Sequence, residues 1–242
     1  GATGSQTFSI TVANTNDAPT IDSTAVTSVD EDSAYSYTVT ASDVDAGDSV
    51  SLAGTTIPTW LTFDDETGIL SGTPTNSDVG SHNVVITATD DAGATDTDSF
   101  SITVTNTNDA PTIDSTAVTS VDEDSAYSYT ATGADVDSGD VLTLSATTPS
   151  WLTFTPGTGV LAGTPTNDEV GPHSVTITVT DAAGATGSQT FSITVANTND
   201  APSITSTAGT AVDEDAAYSY SITTSDVDVG DSMAITFVCA TC

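Results

Sequence analysis

The chain reads as an all-β protein made of small β-sandwiches in tandem. Three observations lead there. A block of about 91 residues repeats along the chain. Within each block, apolar residues alternate with Ser and Thr. Turn-forming residues punctuate it about every 8–12 positions, as in sandwich domains.

The repeat sets the boundaries. Asn16-Asp17-Ala18-Pro19 returns at Asn108–Pro111 and at Asn199–Pro202. Val29-Asp30-Glu31-Asp32 returns at Val121–Asp124 and Val212–Asp215. Asp43-Val44-Asp45 returns at Asp135–Asp137 and Asp226–Asp228, and Trp60-Leu61-Thr62-Phe63 at Trp151–Phe154. Residues 17–108 and 109–199 are therefore two full copies. Residues 200–242 open a third, and residues 1–16, identical to 184–199, are the closing strands of a preceding one. The chain reads as a window on a longer array.

Within the first copy, the elements come in order. Tyr35, Tyr37 and Val39 alternate with Ser36, Thr38 and Thr40. Val84, Ile86 and Ala88 alternate with Val85, Thr87 and Thr89, and Phe100, Ile102 and Val104 with Ser101, Thr103 and Thr105. A period of two places each apolar set on one face of a strand, toward a core. Ser and Thr suit the opposite face without needing a charge partner. Asp-Ala-Gly, Thr-Gly and Asp-Val-Gly supply the turns. A copy of this size has a modest core, which a metal staple would reinforce.

Charge is the second theme. The chain carries 34 acidic residues, no Lys or Arg and two His, a formal charge of −34. Such a chain repels nucleic acid and anionic membrane surfaces. No apolar run is long enough to span a bilayer, and Gly1 opens into β-type sequence without a basic leader region. The regular alternation argues against disorder, despite the acidic composition. Ten acidic positions persist between the two full copies, whereas Asp64-Asp65-Glu66 becomes Thr155-Pro156-Gly157. Unrepeated acids such as Asp96 and Asp98 read as surface.

Together these motifs resemble the dystroglycan-type cadherin-like, or Ig-like, repeats of bacterial and archaeal surface proteins. The match rests on Pro58-Thr59-Trp60-Leu61-Thr62-Phe63-Asp64 and then Thr67-Gly68-Ile69-Leu70-Ser71-Gly72-Thr73-Pro74. Asp78-Val79-Gly80, Thr87–Asp90 and the Asn-x-Asn-Asp-Ala-Pro junctions extend it over essentially the whole chain. The resemblance implies seven-strand Greek-key β-sandwiches stacked end to end, with calcium at the junctions. Two departures remove negative charge. Asn14, Asn106 and Asn197 stand where cadherins usually carry an acid or Gln. The acidic motif near Gly-Thr-Pro is reduced to Asp78 in one copy and Asp168-Glu169 in the next.

By that analogy, the junction at Asn106, Asn108 and Asp109 draws Glu31 and Asp78 from the copy before it. From the copy after it come Asp135, Asp137 and Asp181. The next junction would use Glu123, Glu169, Asn197, Asn199, Asp200, Asp226 and Asp228. The first retains Asn14, Asn16, Asp17, Asp43, Asp45 and Asp90. Calcium takes 6–8 oxygen ligands in a flexible shell, which such a set can supply. Any one acidic loop could instead be a solvated turn or a high-salt adaptation. Recurrence beside each Asn-Asp-Ala-Pro, with no basic residue to pair the acids, favours calcium. Asp48 and Asp140 are weaker ligand candidates, with turn formation alone as the alternative.

Other candidates carry less. Trp60 and Trp151 sit in apolar strand starts and read as core packing rather than sugar platforms. His82 and His173 lack His or Cys neighbours and read as surface or strand-edge residues. Cys239 and Cys242 lack a thioredoxin-like context, leaving a turn disulfide or cross-linking open. No nucleophile–base pair suggests an enzyme. The expectation is a calcium-rigidified stalk of an extracellular adhesin or surface filament. Its partners would be neighbouring repeats, itself or a host ligand. The alternative is a glycan- or protein-binding module of a secreted protein.

Overall fold

The computed structural model describes residues 1–238; Cys239 and Cys242 lie outside the described residues. The chain forms two units, Gly1–Asn108 and Asp109–Cys242. The first contains β1 (Thr20–Ile21), β2 (Ser28–Asp30), β3 (Tyr35–Thr38), β4 (Ala41–Ser42) and β5 (Ser51–Thr56). It continues with β6 (Leu61–Asp64), β7 (Ile69–Gly72), a 3-10 turn at Asn76–Asp78, β8 (Gly80–Thr89) and β9 (Thr95–Thr105). One sheet has the order β2-β9-β8-β5; the other is β3-β7-β6, with β1 and β4 as a short separate ladder. β2 runs parallel to β9, and every other pairing is antiparallel. With β1–β2 and β3–β4 taken as interrupted single strands, this is the seven-strand sandwich that the sequence leads one to expect.

The second unit repeats the plan. Its strands are β10 (Thr112–Ile113), β11 (Ser120–Asp122), β12 (Tyr127–Thr130), β13 (Gly133–Ala134) and β14 (Thr143–Thr147). β15 (Leu152–Thr155), β16 (Val160–Gly163), a 3-10 turn at Asn167–Glu169, β17 (Gly171–Thr180) and β18 (Thr186–Ala196) complete the sandwich. The sheets are β11-β18-β17-β14 and β12-β16-β15. Beyond them lie β19 (Ser203–Ile204) and β20 (Thr224–Ser225), paired antiparallel.

The core obeys the alternation. Val84, Ile86 and Ala88 on β8, and Val175, Ile177 and Val179 on β17, are fully buried. Across the sandwich Val84 and Ile86 pack with Tyr35, Tyr37 and Leu70, and Val175 and Ile177 with Tyr127, Tyr129 and Leu161. Tyr37 stacks edge-on against Phe100 and Tyr129 against Phe191, an arrangement the ring quadrupoles favour. The hydroxyls of Tyr35 and Tyr127 donate to the carbonyls of Val26 and Val118 at 2.8 Å. Burial pushes both phenols up to about 12. Trp60 and Trp151 pack half-buried against these cores, each edge-on to a histidine, His82 or His173. Each histidine lies on a strand, its Nε2 bonded to the carbonyl of Asp78 (2.6 Å) or Glu169 (2.5 Å).

The hairpins β6–β7 and β15–β16 turn on Gly68 and Gly159, at φ +70° and +69°. A side chain there would collide with the carbonyl of Val39 or Ala131, so glycine is required twice over. Residues 1–19 form no strand, although 1–16 are identical to the segment that contains β18. β18 is held by its ladders to β17 and β11, and Phe8, Ile10 and Val12, lacking such neighbours, are exposed. Pairing, not local sequence, makes this strand.

Candidate metal centre

Each sandwich buries one glutamate. The Asp-Glu-Asp segments after β2 and β11 make tight turns. The second Asp lies in the left-handed region, with φ 58° at Asp32 and 59° at Asp124. Asp tolerates that conformation better than most residues. Backbone bonds from Asp32 to Pro74 and from Asp124 to Pro165, both 2.8 Å, anchor the turns. Glu31 and Glu123 are thereby turned inward and are each only 1% exposed. One oxygen of each accepts a linker amide: Thr107 at 2.7 Å for Glu31, Thr198 at 2.6 Å for Glu123. The other oxygen, Oε2, is buried without any hydrogen-bond partner in both.

The Asp-Val-Asp loops after β4, β13 and β20 share a second device. The amide of the second Asp donates to the first: Asp45 to Asp43 (2.8 Å), Asp137 to Asp135 (2.9 Å), Asp228 to Asp226 (3.0 Å). The linker Asp then donates its own amide to the second Asp of the loop. Asp17 reaches Asp45 at 2.7 Å, Asp109 reaches Asp137 at 2.7 Å, and Asp200 reaches Asp228 at 2.6 Å. Asp45, Asp137 and Asp228 are buried as a result.

Within the first unit, carboxylate oxygens of Asp43, Asp48 and Asp90 lie within 4.8 Å of one another. Asn16 donates to Asp90 (2.8 Å), tying the linker to this group, and Asn14 donates to the neighbouring Asp45 (2.9 Å). Within the second unit, Asp135, Asp140 and Asp181 form the same group, and Glu123, Asp200 and Asp228 form another. Asn199 folds onto the carbonyl of Asp200 (2.8 Å). Asn106, Asn108 and Asn197 are exposed on the linkers.

Asp78 and Glu169 are placed outside these groups. Their carboxylates accept the amides of Thr75 (2.9 Å) and Thr166 (2.8 Å), closing a capping box over each 3-10 turn. Among the described residues, Asp226 is also outside a three-carboxylate group, although Asp43 and Asp135, its counterparts, are inside. Asp48 and Asp140, weaker candidates in sequence, complete two of the groups; the signal for them is their recurrence at a fixed distance from Asp-Val-Asp. The unrepeated Asp96 does structural duty, accepting the amide of Ile21 at 2.9 Å.

Electrostatics reflects the crowding. Partial burial, then the charges of Asp43, Asp45, Asp91 and Asp90, pushes the Asp48 carboxyl above its usual range. Burial, then Asp135, Asp137 and Asp181, does the same to Asp140. Asp90 is held below that range, first by the amide of Asn16 and then by backbone amides of residues 92–94. Hydrogen bonds from Thr166 lower Glu169. A raised folded pKa means that the fold holds the proton more tightly than the unfolded chain does. Metal-free stability should therefore rise as pH falls from neutrality through the raised values of Asp48 and Asp140. It should then fall as Asp90 and Glu169, whose stabilisation exists above the ordinary carboxylate pKa, take up protons. Melting midpoints in chelator across this range should pass through a maximum on the acid side of neutrality; a steady decline from neutral pH would contradict the assignment.

The donor set suits a hard cation. Every group is made of carboxylate oxygens, with amides and backbone carbonyls adjacent, and lacks the His or Cys that zinc prefers. A buried, unpartnered carboxylate oxygen beside two further carboxylates is costly unless a cation compensates it. The chain has no Lys or Arg to do so. The residues at Glu123, Asp200 and Asp228 therefore fit calcium.

Comparison with known proteins agrees with the architecture. Curated relatives include the Serine-rich adhesin for platelets of Staphylococcus aureus strain MRSA252, 31% identical over 157 residues. That match covers 64% of this chain but 11% of the adhesin; in strain MSSA476 the identity is again 31% and the share 7%. The chain thus spans a small fraction of these relatives. Among solved structures, protocadherin gamma B2 extracellular cadherin domains 3–6 superimpose with a TM-score of 0.56 at 17% identity, over 88% of this chain and 56% of that one. PcdhgB3 EC1-4 gives 0.54 at 19% identity, over 75% and 50%. These establish a shared fold. The family described as "Putative Ig domain" matches residues 18–105 and again 110–196. With two matches that take in both sandwiches, the chain belongs to this Ig-domain family.

Proposed function

We propose that this chain is part of the stalk of an extracellular adhesin or surface filament, in which calcium stiffens successive repeats. The observation that carries this is the buried, unpartnered Oε2 of Glu123, beside Asp200 and Asp228. Glu123 belongs to a complete sandwich, Asp200 to the linker, and Asp228 to the segment that opens the next repeat. Without a cation these carboxylates repel, and the linker is free to bend. Calcium would neutralise them and tie the sandwich to the opening segment of the next repeat through shared ligands. The similarity to staphylococcal adhesins and to the cadherin fold supports a non-enzymatic, adhesive role at the cell surface. Among the described residues, no helix is long and apolar enough to cross a membrane. Partners would then be neighbouring repeats, a second copy, or a surface ligand held by other parts of the protein.

Equilibrium dialysis paired with small-angle scattering tests this. Calcium at about millimolar concentration, where extracellular modules bind, should be retained by the chain. It should also narrow the spread of molecular dimensions seen in chelator. Calcium retention of zero, with identical scattering in both buffers, would sink the proposal.

A further inference from the structure

We infer that Asn167 belongs to the cage of Glu123, Asp200 and Asp228, and that its neutral amide sets the charge of that cage and hence its calcium affinity. This rests on the calcium reading above. Asn167 is the first residue of the 3-10 turn Asn167–Glu169, and its Nδ2 donates to Oδ1 of Asp228 at 3.2 Å. Asp228 is 5% exposed, and its Oδ2 already accepts the amide of Asp200. The side chain of Asn167 therefore reaches the cage across 61 residues of chain.

The turn that presents it is firmly held. Thr166 donates both its amide and its hydroxyl to Glu169 at 2.8 Å. The amide of Val170 closes on the carbonyl of Asn167 at 3.3 Å, and His173 Nε2 holds the carbonyl of Glu169. The capping bonds engage Oε2 of Glu169 locally, while Asn167 bonds directly to Asp228. An amide suits this position in both states. Without metal, its NH2 offsets the charge of Asp228. With metal, a half-turn about its terminal torsion offers Oδ1, a hard oxygen. The cage then carries three carboxylates and one neutral oxygen, where an acid would make four charges. Affinity in oxygen cages depends on ligand charge count. Asn167 thus favours reversible binding and spares the metal-free fold a fourth repelling charge.

The test compares full-length wild type with Asn167→Asp and Asn167→Ala, by calorimetric calcium titration and by melting in chelator. Asn167→Asp should tighten one class of site about tenfold and lower the melting midpoint in chelator. Asn167→Ala should weaken the same class by about tenfold, the scale seen when a supporting ligand is lost. In a Glu123→Gln background both effects should vanish, because the shared cage is already broken. If both variants titrate like wild type, or shift affinity in the same direction, the inference fails while calcium binding stands. If wild type binds no calcium, the calcium reading fails first, and the role of Asn167 with it.

Discussion

Glu123→Gln should remove most of the calcium-dependent thermal stabilisation of the second unit, while leaving its melting midpoint in chelator equal to wild type or higher. The opposite signs have one cause. In the metal-free fold Glu123 is a buried carboxylate, 1% exposed, with one unpartnered oxygen beside two further carboxylates. An amide of the same shape removes that charge and adds a donor facing Asp200 and Asp228. The bond from Thr198 survives, because the remaining oxygen can still accept it. With calcium, wild type gains about 2.7 kcal/mol at a hundredfold excess over the dissociation constant. For a domain near this size, that corresponds to a shift of roughly 10 °C or more. The variant lacks a charged ligand and should gain little. Calorimetric melts of both proteins, with calcium and with chelator, check this. Equal calcium shifts in both would mean that Glu123 is a structural carboxylate.

Leu161→Ala should destabilise the second sandwich by about 2–5 kcal/mol, whether or not calcium is present. Leu161 is fully buried on β16, which pairs with both β12 and β15. Its neighbours in the core include Tyr127, Tyr129, Val175 and Ile177, whose backbones are locked in ladders and cannot collapse into the space. Small sandwiches bury little surface to spare, so one cavity removes a large share of the total stability. Calcium should displace both melting curves by similar amounts, since Leu161 lies outside the acidic groups. Denaturant melts should show a lower midpoint for the second unit with an unchanged first transition. A loss below about 1 kcal/mol would mean that this core relaxes far more than its packing suggests.

Much of the fold was readable in advance because it is repetitive and periodic. The alternation around Tyr35, Val84 and Phe100 places their side chains on one face whatever the remainder of the chain does, and β3, β8 and β9 result. The acids beside each linker were visible for the same reason: they recur in register. The membership of each cluster was not. Asp48 meets Asp90 across 42 residues, and Asn167 meets Asp228 across 61, distances over which no local pattern reports. Nor does the sequence pattern report that one oxygen of Glu169 caps its own turn by accepting from Thr166, a bond set by the geometry of three residues.

Sequence by itself determined the repeat, the strand faces, the recurring glutamates of Asp-Glu-Asp and an uncompensated charge of −34. These are short-range or additive properties, fixed by spacing and residue type. Tertiary structure decided which carboxylates share a cage and which serve as caps. It also decided that residues 1–16 form no strand while the identical 184–199 include one. The physical reason is common to both: a strand needs a neighbour for its backbone hydrogen bonds, and a cage needs oxygens from distant segments brought within a few ångströms.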